Sequence, residues 1–315
     1  MHTFHGVIRK NVSRIAVVIL LTLVSACGDK PTRPSPTPSP QASQAPQPQQ
    51  TFLWQVKSPQ NTVYLLGSIH LLKESDYPLA QQINDAYEDA EKLVFEVDMG
   101  ELESSKTQSL VLEKATAQDG KTLKERLTPE TYQLAKNTAS EIGLPIEAFS
   151  SFKPWFFSLT LITLKLQRLE FNPENGVDQY FFKKATKDGK ETLALETIED
   201  QFNLFDSFSQ GDQEQYIRQT IDELDTLETS FQEMVSAWKS GDDQTLKNLL
   251  LKSFKDYPEL EDQIFGARNR KWMTTIEPLL QKEDDYLIVV GAGHLVGKDS
   301  VLELLQAKGH TLKRL

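Results

Sequence analysis

The 315-residue chain carries a formal net charge of -11, with 45 acidic against 34 basic residues. That balance excludes a nucleic-acid partner held through phosphate contacts. With 39% hydrophobic residues the chain can bury a large core, in one large domain or two small ones. The single cysteine, Cys27, excludes an intrachain disulfide and leaves the rest of the chain without thiol chemistry.

Residues 1–26 read as a signal peptide. Arg9, Lys10 and Arg14 precede an apolar run, Ile15 to Val24, too short to span a bilayer. Val24-Ser25-Ala26-Cys27 resembles the bacterial lipobox, in which cleavage before the cysteine leaves it acylated. A lipid membrane is therefore an expected partner through Cys27, since more than one acyl chain gives a stable hold. Gly28 rather than Asp follows it, which points to the outer membrane, facing the periplasm. The three basic residues leave with the signal and no acid does, so the mature chain is more acidic still. Residues 27–50 are a Pro-, Gln- and Ser-rich tether holding seven of the fifteen prolines. Extended as polyproline II at about 3.1 Å per residue, it reaches on the order of 70 Å.

The globular part, residues 51–315, opens with FLWQV and TVYLLG separated by Lys57-Ser58-Pro59-Gln60-Asn61, a hairpin pattern. Thr62 to Leu72 is an apolar strand that breaks at Gly67 and presents His70 three residues later. A helix is predicted from Leu79 to Lys92 by apolar spacing at Leu79, Ile83, Ala86, Tyr87 and Ala90. A short buried strand follows from Leu93 to Asp98, containing Glu96. Strand, loop, helix, strand is the rhythm of a parallel α/β unit.

Thr128-Pro129-Glu130 is a helix start, and the helix should run to Gly143. Lys153-Pro154-Trp155 opens an apolar segment to Leu169, too short and interrupted to cross a membrane. Gly176-Val177-Asp178 introduces a helix to Asp188-Gly189, with Asp178 read as its cap. Thr192 to Glu196 repeats the pattern of a short apolar strand ending in acid. From Ile198 to about Leu280 the pattern is helical, with breaks near Gly211, Ser240-Gly241-Asp242 and Tyr257-Pro258. Tyr286 to Val296, YLIVVGAGHLV, repeats the first design, so Gly-x-x-His-Leu follows a strand at Gly67/His70 and at Gly291/His294. A helix over Asp299 to Lys308 and a last strand over Thr311 to Leu315 complete the chain. The expected fold class is α/β: a mixed sheet of N- and C-terminal strands with a large central helical cap.

Four short apolar runs thus end in His70, Glu96, Glu196 and His294. If those strands are parallel neighbours, the four side chains meet at the carboxyl edge of the sheet, where ligands bind in open α/β folds. Two imidazoles with one or two carboxylates suit a divalent transition metal. A bound metal would lower the pKa of its water while a spare carboxylate took the proton. Arg268 and Asn269, polar among Ile264, Phe265, Trp272 and Met273, are candidates to face the cleft and hold a carboxylate or a developing oxyanion. Nucleotide binding is excluded: AGHLVGKD, from Ala292 to Asp299, misses the first glycine of a P-loop and puts Asp299 where Ser or Thr must hold Mg²⁺.

In order, Gly67-Ser68-Ile69-His70, Phe95-Glu96, Gly176-Val177-Asp178, Leu195-Glu196, Arg268-Asn269 and Gly291-Ala292-Gly293-His294 resemble the TraB/GumN family, whose TIKI branch comprises ectoenzymes. The resemblance implies a fold related to the erythromycin-esterase and ChaN-like group and, by its TIKI branch, divalent-metal-dependent peptidase activity on a peptide or protein. Carried over, His70, Glu96 and His294 take the metal positions, for Mn, Co, Zn or Fe. Glu196 becomes a second acid and Arg268 and Asn269 the polar pair, the three forming the catalytic set. The alternatives are a lipoprotein that binds haem, iron or a small ligand without turnover, or an envelope scaffold.

Overall fold

A computed structural model describes residues 50–206, 209–251 and 258–315. The hairpin forms as expected. Strand β1 (Leu53–Lys57) runs antiparallel to β2 (Thr62–Ser68), and the turn is held by the Ser58 hydroxyl, which accepts from the Gln60 and Asn61 amides. The first helix, α1 (Gln81–Asp89), is shorter than its apolar pattern and leads into β3 (Lys92–Phe95). The strand ends before Glu96, so Glu96 and Asp98 lie on the segment that leaves the sheet rather than in it.

Helices α2 (Ser105–Ala115), α3 (Pro129–Glu141) and α4 (Pro154–Arg168) follow. Thr128 caps α3 by accepting from the Thr131 amide, with Pro129 at the first position, as its sequence demands. The apolar segment after Lys153 becomes α4, whose Trp155, Phe156 and Phe157 are all buried. Helix α5 (Val177–Asp188) ends on Gly189 in the left-handed conformation. Then come β4 (Glu191–Ala194), α6 (Ile198–Asp206), α7 (Gln210–Glu223), α8 (Leu227–Ser240) and α9 (Asp243–Leu251). The break expected near Gly211 falls at Ser209, whose hydroxyl and Asp212 form a reciprocal cap, so Gly211 lies inside α7. A further break at Thr226 separates α7 from α8. The one at Ser240 to Asp242 is made by left-handed Gly241. Tyr257 lies outside the described residues. A π-helical turn (Asp262–Gly266) opens directly into α10 (Ala267–Leu279), followed by β5 (Tyr286–Gly291), α11 (Val301–Ala307) and β6 (Leu312–Arg314).

The six strands form one mixed sheet in the order β4-β3-β5-β2-β1-β6. Strands β4, β3, β5 and β2 are mutually parallel, while β1 is antiparallel to β2 and to β6. The α/β class and the use of strands from both ends of the domain are thus as the sequence predicts. Every residue of β5 is buried, as a strand covered on both faces requires. Short β4 and β6 take the edges, where a short strand limits unwanted pairing.

Strand β5 inserts between β2 and β3, and its register pairs Gly67 with Val290 and Ser68 with Gly291. The two Gly-x-x-His turns therefore emerge side by side from neighbouring strands. Of the helices between β3 and β5, α8 reaches the strand ends, where the Trp238 indole donates to the Gly67 carbonyl at 2.6 Å. The signal segment, Cys27 and nearly all of the tether lie outside the described residues. Among those described, no helix is long and apolar enough to cross a membrane.

Candidate functional site

Glycine is needed at the two turns for close approach, not for unusual backbone angles. Neither Gly67 nor Gly291 takes a positive φ. A Cβ on Gly291 would lie 2.9 Å from His70 Nε2 and 3.2 Å from Glu96 Oε1, and one on Gly67 would collide with the Phe52 ring. The missing side chain at Gly291 is what lets the first histidine and the first glutamate approach the second turn.

His70 leaves β2 and meets the start of α5. Its carbonyl packs against Gly176, where any Cβ would overlap it, and the Val177 amide donates to the Ile69 carbonyl at 3.0 Å. Asp178, buried in the first turn of α5, accepts from the Ser68 hydroxyl at 2.9 Å and pairs with His70 Nδ1 at 2.6 Å. With Nδ1 committed to Asp178, Nε2 is the reactive nitrogen, and it has no hydrogen-bond partner among the described residues. Burial disfavours the charged ring, but the Asp178 carboxylate outweighs it and raises the His70 pKa above its ordinary 6.5.

His294, on the 3₁₀ turn after β5, is buried between the Trp272 ring, centroids 4.2 Å apart, and Phe265 at 5.3 Å. Asn269 Nδ2 donates to the carbonyls of Asp299 and His294 at 2.9 and 3.5 Å, so Asn269 Oδ1 accepts from His294 Nδ1 at 2.6 Å. That fixes the Nδ1–H tautomer and turns the Nε2 lone pair toward Arg268, 3.0 Å away. Burial, then Arg268, then His70 hold the His294 pKa well below 6.5, so the ring is neutral.

Between these elements sit the two glutamates. The ladder from β3 to β4 continues one step beyond the strands, with the Glu196 amide donating to the Glu96 carbonyl at 2.9 Å. Glu96 Oε1 accepts from the Gly291 amide at 2.8 Å, and Oε2 accepts from Arg268 Nη2 at 2.7 Å and Gln201 at 3.1 Å. Glu196 accepts from Arg268 Nη2 at 2.6 Å, Arg268 Nε at 3.1 Å and the Trp272 indole at 3.0 Å. The last Arg268 donor reaches the Ile264 carbonyl at 3.0 Å, in the π turn. A guanidinium has five N–H groups, and all five are used. Burial alone would disfavour its charge, but Glu96 and Glu196 outweigh that and raise its pKa.

The structure thus brings His70, Glu96, Glu196, Arg268, Asn269 and His294 to the carboxyl ends of β2, β3, β4 and β5. It also corrects how some of them are used. Arg268 and Asn269 do not offer free donors to a cleft: Arg268 is saturated and Asn269, fully buried, orients His294. Both carboxylate oxygens of Glu196 are engaged by Arg268 and Trp272. Asp178 is no cap, since Gly176 holds that position, but the partner of His70. A buried aspartate inside a helix start needs a partner, but its burial is visible only in the fold; in the sequence only the Gly176-Val177-Asp178 motif drew attention to it. Ser68, Gln201 and Trp272 escaped sequence reading because their polar atoms are ordinary until their neighbours are known.

His70, Glu96 and His294 do not make a metal shell in this arrangement. Among the described residues, no three His, Cys, Asp or Glu side chains are placed to hold an ion. The donors are already engaged: Glu96 by the Arg268 guanidinium, Gln201 and the Gly291 amide, Glu196 by Arg268 and the Trp272 indole, and His294 Nε2 by Arg268.

Comparison with known proteins places this geometry. The chain is 24% identical to the uncharacterized protein YbaP of Escherichia coli over 243 residues, covering 77% of this chain and 87% of YbaP. It is 24% identical to the protein named metalloprotease TIKI homolog of Amphimedon queenslandica, over 53% of this chain and 38% of that one. To metalloprotease TIKI2 of Danio rerio it is 21% identical, over 84% of this chain and 60% of that one. No solved structure matches the chain, and the expected likeness to the erythromycin-esterase and ChaN-like group is not shown. The model of the TraB/PrgY/gumN family matches residues 52–314, nearly the whole described domain with every residue of the cluster, and the chain belongs to that family.

Proposed function

We propose that the chain is a hydrolase of peptide bonds acting at this cluster, on a peptide or protein substrate. The names of the two TIKI relatives support the reaction class. The observation that carries it is His70: its Nδ1 is fixed by a buried aspartate, and its Nε2 has no hydrogen-bond partner among the described residues, whereas that of His294 faces Arg268. That is the arrangement of a general base, in which Nε2 takes a proton from water and Asp178 steadies the imidazolium that forms. Asp178 is here a positioning residue. Glu96, Glu196 and Asn269 hold the walls of the site, and the divalent ion expected from the sequence enters the reading only as a rival of Arg268, taken up below.

The test is turnover of a mixed peptide library by the purified full chain, with chelator and with added Mn, Co or Zn. His70→Ala should cut turnover about 10²–10⁴-fold, the usual worth of a general base. Asp178→Asn should lower turnover and shift the alkaline-going limb of the pH profile to lower pH, because Asp178 is what lifts the His70 pKa. A chain that turns over nothing under any of these conditions removes the proposal. The saturated guanidinium favours one second reading, a non-catalytic binding lipoprotein, which predicts stoichiometric ligand without a rate. For location we propose a lipid anchor at Cys27, with the domain in the bacterial envelope and facing the periplasm.

A further inference from the structure

Arg268 is surrounded by donor types that a metal ion also selects, spread over its three nitrogens. Two carboxylates, one neutral imidazole and one backbone carbonyl converge on its guanidinium at 2.6–3.3 Å. Oxygen and imidazole donors of this kind are also what a divalent ion such as Zn²⁺ or Mn²⁺ selects. The fold holds the side chain from both ends. The π turn just before α10 offers the Ile264 carbonyl, and Trp272, one helical turn later, lies under the guanidinium at 4.8 Å while binding the same Glu196. Breaks from α-helical geometry of this type recur at functional sites.

We propose that Arg268 is the resident cation of the Glu96–Glu196–His294 cage, and that a divalent metal and the guanidinium exclude one another there. The same lone pairs cannot serve both, and two cations within one cage repel. Metal loading therefore requires Arg268 to withdraw and the carboxylates and imidazole around it to close in, because as placed around the guanidinium they do not form an ion shell; removing the guanidinium frees them to do so. The inference deepens the hydrolase reading by naming what regulates its site, but it concerns binding only and stands or falls without any turnover.

The experiment titrates Zn²⁺ and Mn²⁺ into the chelator-stripped full chain, wild type and Arg268→Ala, reading heat of binding and thermal unfolding. Arg268→Ala should take one ion per chain at least about 10-fold more tightly than wild type and unfold at higher temperature with the ion; a tenfold change in affinity is the smallest shift taken as support. Adding His294→Ala to that variant should abolish the gain. Should Arg268→Ala fail to fold without metal, Arg268→Met keeps the apolar stem, and refolding of either variant on adding Zn²⁺ is the readout. The proposal is overturned if wild type binds one ion as tightly as Arg268→Ala. It is equally overturned if the variant binds no more than wild type, or if both variants stay unfolded in Zn²⁺.

Discussion

Burial works against charge on both imidazoles of the site, yet the carboxylate of Asp178 reverses the outcome at His70 while Arg268 deepens it at His294. Stability must follow. Below pH 6.5 His70 is protonated folded and unfolded, and its pairing with Asp178 counts in full; as pH rises through its raised pKa that contribution is lost. His294 stays neutral when folded, so its contribution is complete above pH 6.5 and is lost on acidification, when only the unfolded chain takes the proton. These two groups alone place maximal stability near pH 6.5. Urea unfolding across about pH 5 to 8, with chelator present, should show His70→Gln flattening the alkaline fall and His294→Gln flattening the acid fall. The two histidines were legible as a pair because both follow a strand and a glycine. The opposite direction of their pKa shifts was not, because it is decided by Asp178 and Arg268, 108 and 26 positions away.

At the scale of elements, β5 carries the site. It pairs with β2 on one side and β3 on the other, so both Gly291 and the Glu96 carboxylate depend on its register. Ile288, fully buried mid-strand, should cost about 2–5 kcal/mol of stability when cut to alanine, read as the shift of the urea midpoint. A comparable change on half-exposed β4, Leu193→Ala, should cost less. The strands were readable from unbroken apolar runs and the hairpin from its polar turn, and Thr128-Pro129 marked its helix correctly. The π turn before Arg268 was not readable, since IFGARNRKWM has the composition of an ordinary helix. That the Glu196 strand lies at the sheet edge was not readable from its apolar letters: β4 is partly exposed, and its exit toward Glu96 is enclosed.

Across the whole molecule, the described domain accounts for the family match, while the anchoring reading concerns residues outside it. Its test is direct. Cells expressing the chain and fed labelled palmitate should yield a labelled, membrane-associated product, and Cys27→Ser should give an unlabelled one released from the membrane. Label retained on Cys27→Ser would end the reading. The acidic charge balance was readable at once, because it needs no geometry.

The insertion of β5 between β2 and β3 sets when the domain can become itself. The two strands flanking the gap are made early, and the one that fills it lies 195 positions beyond Glu96 at the point where they touch. A ribosome, or any pore passed amino end first, must release the chain through Gly291 before the middle of the sheet has an occupant. Contacts of such separation form late and slowly, so the two apolar strands flanking the gap stay unjoined until β5 arrives between them.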